Sequence, residues 1–269
     1  MTKGSKQQMP LDNLRLPYRD VELYKNAHSG IKVRENGNSR SLTCGVGMAR
    51  EQSGIYVDNL RKHFFDYSLL AMYSLLFVPK PTRILVLGLG GGIVPREMSY
   101  YFPQAKIDII EIKKEMVDVA KEFFFFEDNE LINIHIGDGF NVIGELKDQY
   151  DIIMLDAFSI NYVPFHLMSK EFFKMVYDRT KEDGVVIVNA SSCHPSFYCQ
   201  LNTIMSVFGE NLYGLIGERN NLTFMTYVLK NDKKPMKILN LPTEYYPQKT
   251  PFKIEITDEI KNAKIFEMK

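Results

Sequence analysis

Gly88, Gly90, Gly91 and Gly92 follow the charge-free run Ile84–Leu87 and precede Pro95. This pattern reads as a buried parallel strand, a tight turn and the N-terminus of a helix. Without side chains in the turn, the backbone can bend sharply and lie directly against a ligand, with the unpaired helix N–H groups facing the same space. Such a turn is chemistry for binding a nucleotide-like cofactor, since a bare strand-to-helix turn rarely needs so many glycines. A nicotinamide-type Gly-x-Gly-x-x-Gly requires glycine where Ile93 stands, which argues against a dehydrogenase. The next strand, Lys106 to Glu111, ends in an acid about twenty residues after the glycines, where a carboxylate can hold both hydroxyls of a ribose. An adenosyl cofactor meets both conditions.

These residues need a scaffold, and the chain spells one out. Strands are predicted at 84–88, 106–112, 133–137, 150–156 and 184–190, with helices near 94–102, 114–124, 139–147 and 169–180 between them. Regular alternation with short connections is the pattern of an α/β, doubly wound parallel sheet. Ligands bind such sheets at the carboxyl ends of the strands, where the strand order reverses, and Gly88, Glu111, Asp138 and Asp156 all fall at those ends. A helix near 196–208 leads to two strands, 212–217 and 222–229, joined across Arg219-Asn220-Asn221 as an antiparallel hairpin at one edge.

Upstream, residues 1–15 read as a flexible N-terminus and residues 16–58 as a small β subdomain. Its strands are the short runs at 21–24, 31–34 and 41–44, separated by Gly30, the Asn36-Gly37-Asn38 turn and Gly45. A helix enclosed by apolar contacts is predicted from Asn59 to Phe77, ended by Pro79 and Pro81. The cofactor-binding domain then spans 59–230, and a Lys- and Pro-rich extension covers 231–269. Phe123 to Phe126 read as core or interface.

At 269 residues and 45% apolar content the chain can bury a sizeable core. Its 33 basic and 33 acidic side chains cancel, which argues against nucleic acid or an anionic membrane as partner. Cys44, Cys193 and Cys199 form no C-x-x-C pair, so reduced thiols and no metal site are expected. A polar N-terminus, and an apolar stretch around Leu69 to Val78 too short for a bilayer, place the expected location in the cytoplasm.

The motifs taken in order resemble the spermidine synthase family, a branch of the class I methyltransferase fold with a seven-stranded sheet. They are Gly88-Leu-Gly-Gly-Gly, Glu111-Ile, Ile136-Gly-Asp-Gly139, the Tyr150 to Phe158 run, Lys170-Glu-Phe-Phe and Glu182-Asp-Gly-Val185. Pro17 to Tyr24 is similar to that family's N-terminal β-subdomain, so the resemblance covers roughly 17 to 230. It implies a pocket for S-adenosylmethionine or its decarboxylated form, formed by Gly88, Gly90, Gly91, Gly92, Glu111, Ile112, Asp138, Gly139 and Asp156. Glu111 would hold the ribose hydroxyls, and Asp138 with Gly139 would lie against the adenine, while Asp138 can also cap the helix that follows it. Asp156 matches the acid that in synthases orients the attacking amine and takes its proton. An amine attacks carbon on a sulfonium only as the free base, and the ammonium it forms needs a carboxylate beside it. The alternative for Asp156 is a structural acid capping its loop.

The chain also departs from the family. A second acid that grips the polyamine is replaced by Ser159, followed by Ile160, and Phe65-Asp-Tyr67 stands near the family's Tyr-His-Glu. The acid inside the synthase turn, which neutralises the aminopropyl amine, is replaced by Gly91. That last loss favours ordinary S-adenosylmethionine, so the expected reaction is methyl transfer to an amine, either a small molecule or a protein. Gly-Leu-Gly-Gly-Gly with Pro95, Asp156-Ala-Phe158 and Pro164-Phe-His-Leu167 resembles the spermidine-synthase-like branch that includes eukaryotic protein-amine methyltransferases. An aminopropyltransferase using the decarboxylated cofactor, with an altered amine grip, is the alternative, and a non-catalytic scaffold the third reading. His166 is either a second proton carrier or a loop histidine satisfied by backbone contacts. Tyr67, Phe158 and Tyr162 form either an aromatic wall for a cationic acceptor or ordinary packing. The resemblance also implies a homodimer.

Overall fold

The computed structural model describes residues 20–45, 51–157, 163–191, 194–217, 223–232, 234–235, 252–255, 262–264 and 267–268. The described chain opens with an antiparallel sheet of β1 (Asp20–Asn26), β2 (Ile31–Asn36), β3 (Ser39–Thr43) and β4 (Glu51–Tyr56), paired in that order. The sequence pattern predicts three of these strands. β4 lacks apolar alternation, and its Gly54 leaves room for the ring of Phe64, which lies 2.4 Å from where a Cβ would stand.

That contact delays the helix that follows. Tyr56 and Phe64 pack with ring centroids 5.4 Å apart, and Phe64 meets Phe65 at 4.8 Å, so this segment serves the sheet. The helix α1 therefore occupies only Asp66–Met72, continued by a 3₁₀ turn over Tyr73–Leu76, not the whole of 59–77. It is enclosed as expected, with Leu70 to Phe77 all buried.

The main domain runs β5 (Arg83–Leu87), α2 (Ile93–Tyr101), β6 (Lys106–Glu111), α3 (Lys114–Phe123), β7 (Ile132–Ile136), α4 (Gly139–Glu145) and β8 (Tyr150–Leu155). It continues with α5 (Lys170–Arg179), β9 (Thr180–Ser191), α6 (Phe197–Phe208), β10 (Leu212–Ile216), β11 (Thr223–Leu229) and the short β12 (Phe252–Lys253). The strand order is β12-β10-β11-β9-β8-β5-β6-β7. Strands β5 to β9 are mutually parallel, β11 runs antiparallel to β9, and β10, antiparallel to β11, runs in the same direction as β5 to β9. This is the expected seven-stranded sheet with one added edge strand from the C-terminal extension. The hairpin residues Arg219 to Asn221 lie outside the described residues.

Alternate side chains of the strands face two cores. Ile84, Val86, Ile107, Ile109 and Met154 pack with α1, α2 and α3, while Leu85, Leu87, Ile153, Val186 and Val188 pack with α4, α5 and α6. A third cluster seats the N-terminal sheet, through Ile31, Val33, Leu42 and Ile55, on Ile93, Met116, Val119 and Phe124. Glu115 at the start of α3 fixes that seat by accepting hydrogen bonds from the Tyr24 hydroxyl (2.6 Å), Asn26 Nδ2 (2.8 Å) and Ser29 Oγ (3.0 Å). The small sheet thus sits beside the turn between β5 and α2, at the switch point where β6 and β8 flank β5. Among the described residues, no helix is long and apolar enough to cross a membrane.

Candidate active site

The glycine turn is defined by what surrounds it. Gly88 has φ 96° and its N–H donates to the Ile110 carbonyl at 2.8 Å. A Cβ there would stand 2.5 Å from the Asp156 carbonyl oxygen, and the Asp156 N–H donates to the Leu87 carbonyl at 2.9 Å. Glycine at 88 is therefore what lets the ends of β5 and β8 close on each other. Gly92, at φ 71°, opens α2, and the Phe126 ring lies 2.7 Å from its absent Cβ. The run Phe123–Phe126 is explained here. Phe124 and Phe126 are buried behind the turn, while Phe125 stands outward near the Arg40 guanidinium.

The N-terminal sheet also reaches the turn. Ser53 of β4 accepts the Gly91 N–H at 3.0 Å and lies 3.3 Å from the Tyr67 hydroxyl. The same Ser53 Oγ would be 2.7 Å from a Cβ at Gly90. At Gly91 an added Cβ would meet Ile93 Cδ1 at 2.7 Å and the Phe124 ring at 3.0 Å. A Cβ at 91 would thus press on Ile93 and Phe124.

Glu111, at the end of β6, is buried and accepts the N–H groups of Leu89 and Lys113, each at 3.0 Å, on its two oxygens. Burial pushes its pKa above the usual carboxylate value against those hydrogen bonds and the Lys113 charge. Each oxygen keeps a lone pair for a further donor. Beside it Ile112 and Ile136 leave their aliphatic side chains 63% and 49% exposed. A buried acceptor flanked by uncovered aliphatic surface fits a nucleoside, whose ribose donates and whose base covers apolar area. Asp138 caps α4, accepting the Phe140 N–H at 3.0 Å, and its other oxygen pairs with His166 Nε2 at 3.0 Å. Gly139 packs against Leu87, whose Cδ1 is 2.6 Å from the missing Cβ.

His166 is thus satisfied by a side chain, not by the backbone contacts expected of a loop histidine. At the end of β8, Asp156 is half-buried and its Oδ1 accepts from Asn189 Nδ2 of β9 at 2.8 Å. Burial pushes its carboxyl up to about 7, and the Asn189 hydrogen bond restrains the rise. Tyr67 faces the same space; burial and the Asp156 charge raise its hydroxyl pKa, so it stays a neutral donor. Ala157 and Asn189 open onto a small apolar crevice formed with Leu155, Leu167, Phe172 and Val188. Phe158 and Tyr162 lie outside the described residues, so of the aromatic wall only Tyr67 is described. Ser53 and Asn189 were not legible as site residues. The available signal for Asn189 was a polar side chain ending an apolar strand, the same signal that marks Asp156.

Residues 63–209, more than half of the chain, match the family Spermine/spermidine synthase domain. The polyamine aminopropyltransferase of Vibrio vulnificus (strain CMCP6) is 36% identical over 191 residues, which cover 69% of this chain and 64% of that protein. A probable spermidine synthase from Corynebacterium glutamicum ATCC 13032 superposes with TM-score 0.67 at 17% identity, covering 77% of this chain and 79% of that one. Human methyltransferase-like protein 13 in complex with SAH superposes with TM-score 0.55 at 26% identity, covering 66% of this chain and 86% of that one. These matches overturn the expectation of methyl transfer from ordinary S-adenosylmethionine, because the family model and the Vibrio relative are both named for polyamine synthesis. That expectation leaned on the missing acid at Gly91, where an added Cβ would meet Ile93 Cδ1 and the Phe124 ring. With a matching domain over 63–209, the chain belongs to the spermine/spermidine synthase family.

Proposed function

We propose that this chain is a polyamine aminopropyltransferase, moving the aminopropyl group of decarboxylated S-adenosylmethionine to an amine. The observation that carries the reading is Asp156, a half-buried carboxyl with a pKa near 7, set at the switch-point end of a family sheet. Decarboxylated S-adenosylmethionine, when bound, supplies a carbon made electrophilic by sulfonium, so that a C–N bond forms as the C–S bond breaks and sulfur leaves as a neutral thioether. Glu111 and the Leu89–Gly92 backbone would hold the nucleoside end, with Ile112 and Ile136 covering the base and Asp138 at its far side. Asp156 orients the incoming amine and takes the proton that the new ammonium sheds. A pKa near 7 suits that exchange, because proton transfer is most efficient when the carboxyl's affinity for a proton lies near working pH. Asn189 keeps one oxygen engaged and so fixes the carboxylate plane, while the Tyr67 hydroxyl offers a neutral wall.

Asp156 must be a carboxylate to accept the proton, so kcat/KM should rise with pH through about 7. Replacing Asn189 by Leu removes the hydrogen bond that stabilises the charged form. A bond to a charged group contributes roughly 1.5–3 kcal/mol, so the acid limb should move up by about 1–2 pH units. A pH–rate profile of Asn189→Leu with the parent's acid limb would show that this bond does not tune Asp156.

Thermal melting tests the ligand assignment directly. Decarboxylated S-adenosylmethionine at a hundredfold excess over its Kd should stabilise the fold by about 2.7 kcal/mol, roughly 5–10 °C for a chain of this size. The ordinary form should shift the midpoint less. A larger shift with ordinary S-adenosylmethionine contradicts the assignment.

A further inference from the structure

We propose that the crevice beside Asp156 takes the carbon chain of the acceptor amine, and that Gln200 in its wall binds a neutral polar group at the far end of that chain. This rests on the reading above, in which Asp156 holds the attacking nitrogen.

Gln200 stands where the pattern of its helix asks for an apolar residue. On α6 the buried Phe197, Leu201, Ile204 and Phe208 recur at the three- and four-residue spacing of a core-facing stripe, and Gln200 falls on that stripe. It is 6% exposed, yet its carboxamide makes no hydrogen bond among the described residues. Thr203, buried on the next turn, shows the ordinary solution, its hydroxyl donating to the Cys199 carbonyl at 2.7 Å. A buried carboxamide without a partner forfeits its hydrogen bonds to water, and a ligand that meets it restores them.

Two contacts tie the crevice that Gln200 lines to the amine end of the site. Leu155 and Ala157, the residues on either side of Asp156, form part of its wall. Asn189 lines it as well, and its Nδ2 donates to Asp156 Oδ1 at 2.8 Å. One end of the Asn189 amide therefore holds the carboxyl, while its Oδ1 keeps its capacity as an acceptor. With its open mouth the crevice has about 280 Å³ of free space, room for a short alkyl chain. The remaining wall is apolar, with Leu87, Phe173 and Val188 in it, and no charged side chain among the described residues lines it.

These features select a class of acceptor. Methylene groups gain by leaving water for apolar walls. A charged far end would lose its hydration with no opposite charge to meet it. A hydroxyl both donates and accepts, so it pairs with the Gln200 carboxamide either way round. The acceptor class is thus an alkylamine ending in a neutral hydrogen-bonding group. A diamine is the weaker acceptor, because its second ammonium finds only amide oxygens.

The test compares kcat/KM for three acceptors with the same carbon chain, 4-amino-1-butanol, 1-aminobutane and 1,4-diaminobutane, each supplied with decarboxylated S-adenosylmethionine. In the parent the amino alcohol should exceed each of the others by about tenfold or more, the scale of one buried hydrogen bond gained or one charge left unmet. Gln200→Leu should bring the amino alcohol and 1-aminobutane within about twofold of each other. Gln200→Glu should reverse the order, with the diamine first. Ratios taken within one variant do not depend on how much of it is folded. A parent that does not favour the amino alcohol over both others overturns the proposal, as do parent-like ratios in either variant. A parent that transfers to none of the three overturns the proposed function itself, and this inference with it.

Discussion

Asp156→Asn is expected to lose aminopropyl transfer by about 10²–10⁴-fold, the usual contribution of a positioned general base. The same variant should melt higher than the parent at pH 8. In the unfolded chain this carboxyl ionises near its ordinary 3.8, whereas in the fold burial holds the proton to about 7. Between those values the native state binds more protons than the unfolded one, so stability falls as pH rises, and the loss is complete above 7. Asparagine carries no charge to desolvate and still accepts from Asn189, so the loss disappears. The gap between the two melting curves should close as pH falls toward 4. Each kcal/mol recovered raises the midpoint by about 2–4 °C in a chain of this length. Lost activity with gained stability separates a catalytic carboxylate from a loop cap. A cap would show the reverse, a lower midpoint with transfer retained.

Gly88→Ala should be nearly as damaging by a different route. The new methyl group would stand 2.5 Å from the Asp156 carbonyl oxygen, a backbone atom that cannot swing aside. The residue also sits at φ 96°, where a side chain adds strain of about 1–3 kcal/mol. Overpacking adds about 1–3 kcal/mol more. Relief comes only by separating β5 from β8, which moves Asp156 off the transfer axis. Transfer should fall at least about a hundredfold, as expected of a 1 Å misplacement, and the midpoint should drop by several degrees. Gly144→Ala is the matched control. Gly144 lies in the exposed last turn of α4, where a Cβ meets only Met175 Sδ at 3.3 Å, and helix propensity favours alanine by about 1 kcal/mol. A Gly88→Ala protein that melts and turns over like Gly144→Ala would remove the argument that this contact aligns the site.

What the sequence carried in plain view was the periodic part of the fold. Charge-free runs such as Ile84–Leu87 and Ile152–Leu155 fit a sheet covered on both faces, and the residues that end them, Gly88 and Asp156, mark the site edge. Glu111 and Asp138 were legible from their place at strand ends, and Asp138 does cap α4. What could not be read were contacts between segments far apart in the chain. Ser53 is one hydroxyl on a strand without alternation, and its use appears only when β4 meets Gly91. The helix start at Asp66 depends on Phe64 filling the space over Gly54, a tertiary contact that overrides the apolar periodicity beginning at Asn59. The choice of cofactor failed because it rested on a single missing charge, at Gly91, where an added Cβ would press on Ile93 and Phe124.

Aminopropyl transfer is tested most directly by the products of a single incubation. The purified chain is supplied with decarboxylated S-adenosylmethionine, ordinary S-adenosylmethionine and 1,4-diaminobutane together, and the products are resolved by mass spectrometry. The expected products are an amine heavier by one aminopropyl group and an equal amount of 5′-methylthioadenosine, both absent with Asp156→Asn. A methylated amine accompanied by S-adenosylhomocysteine, with no aminopropyl product, would contradict it.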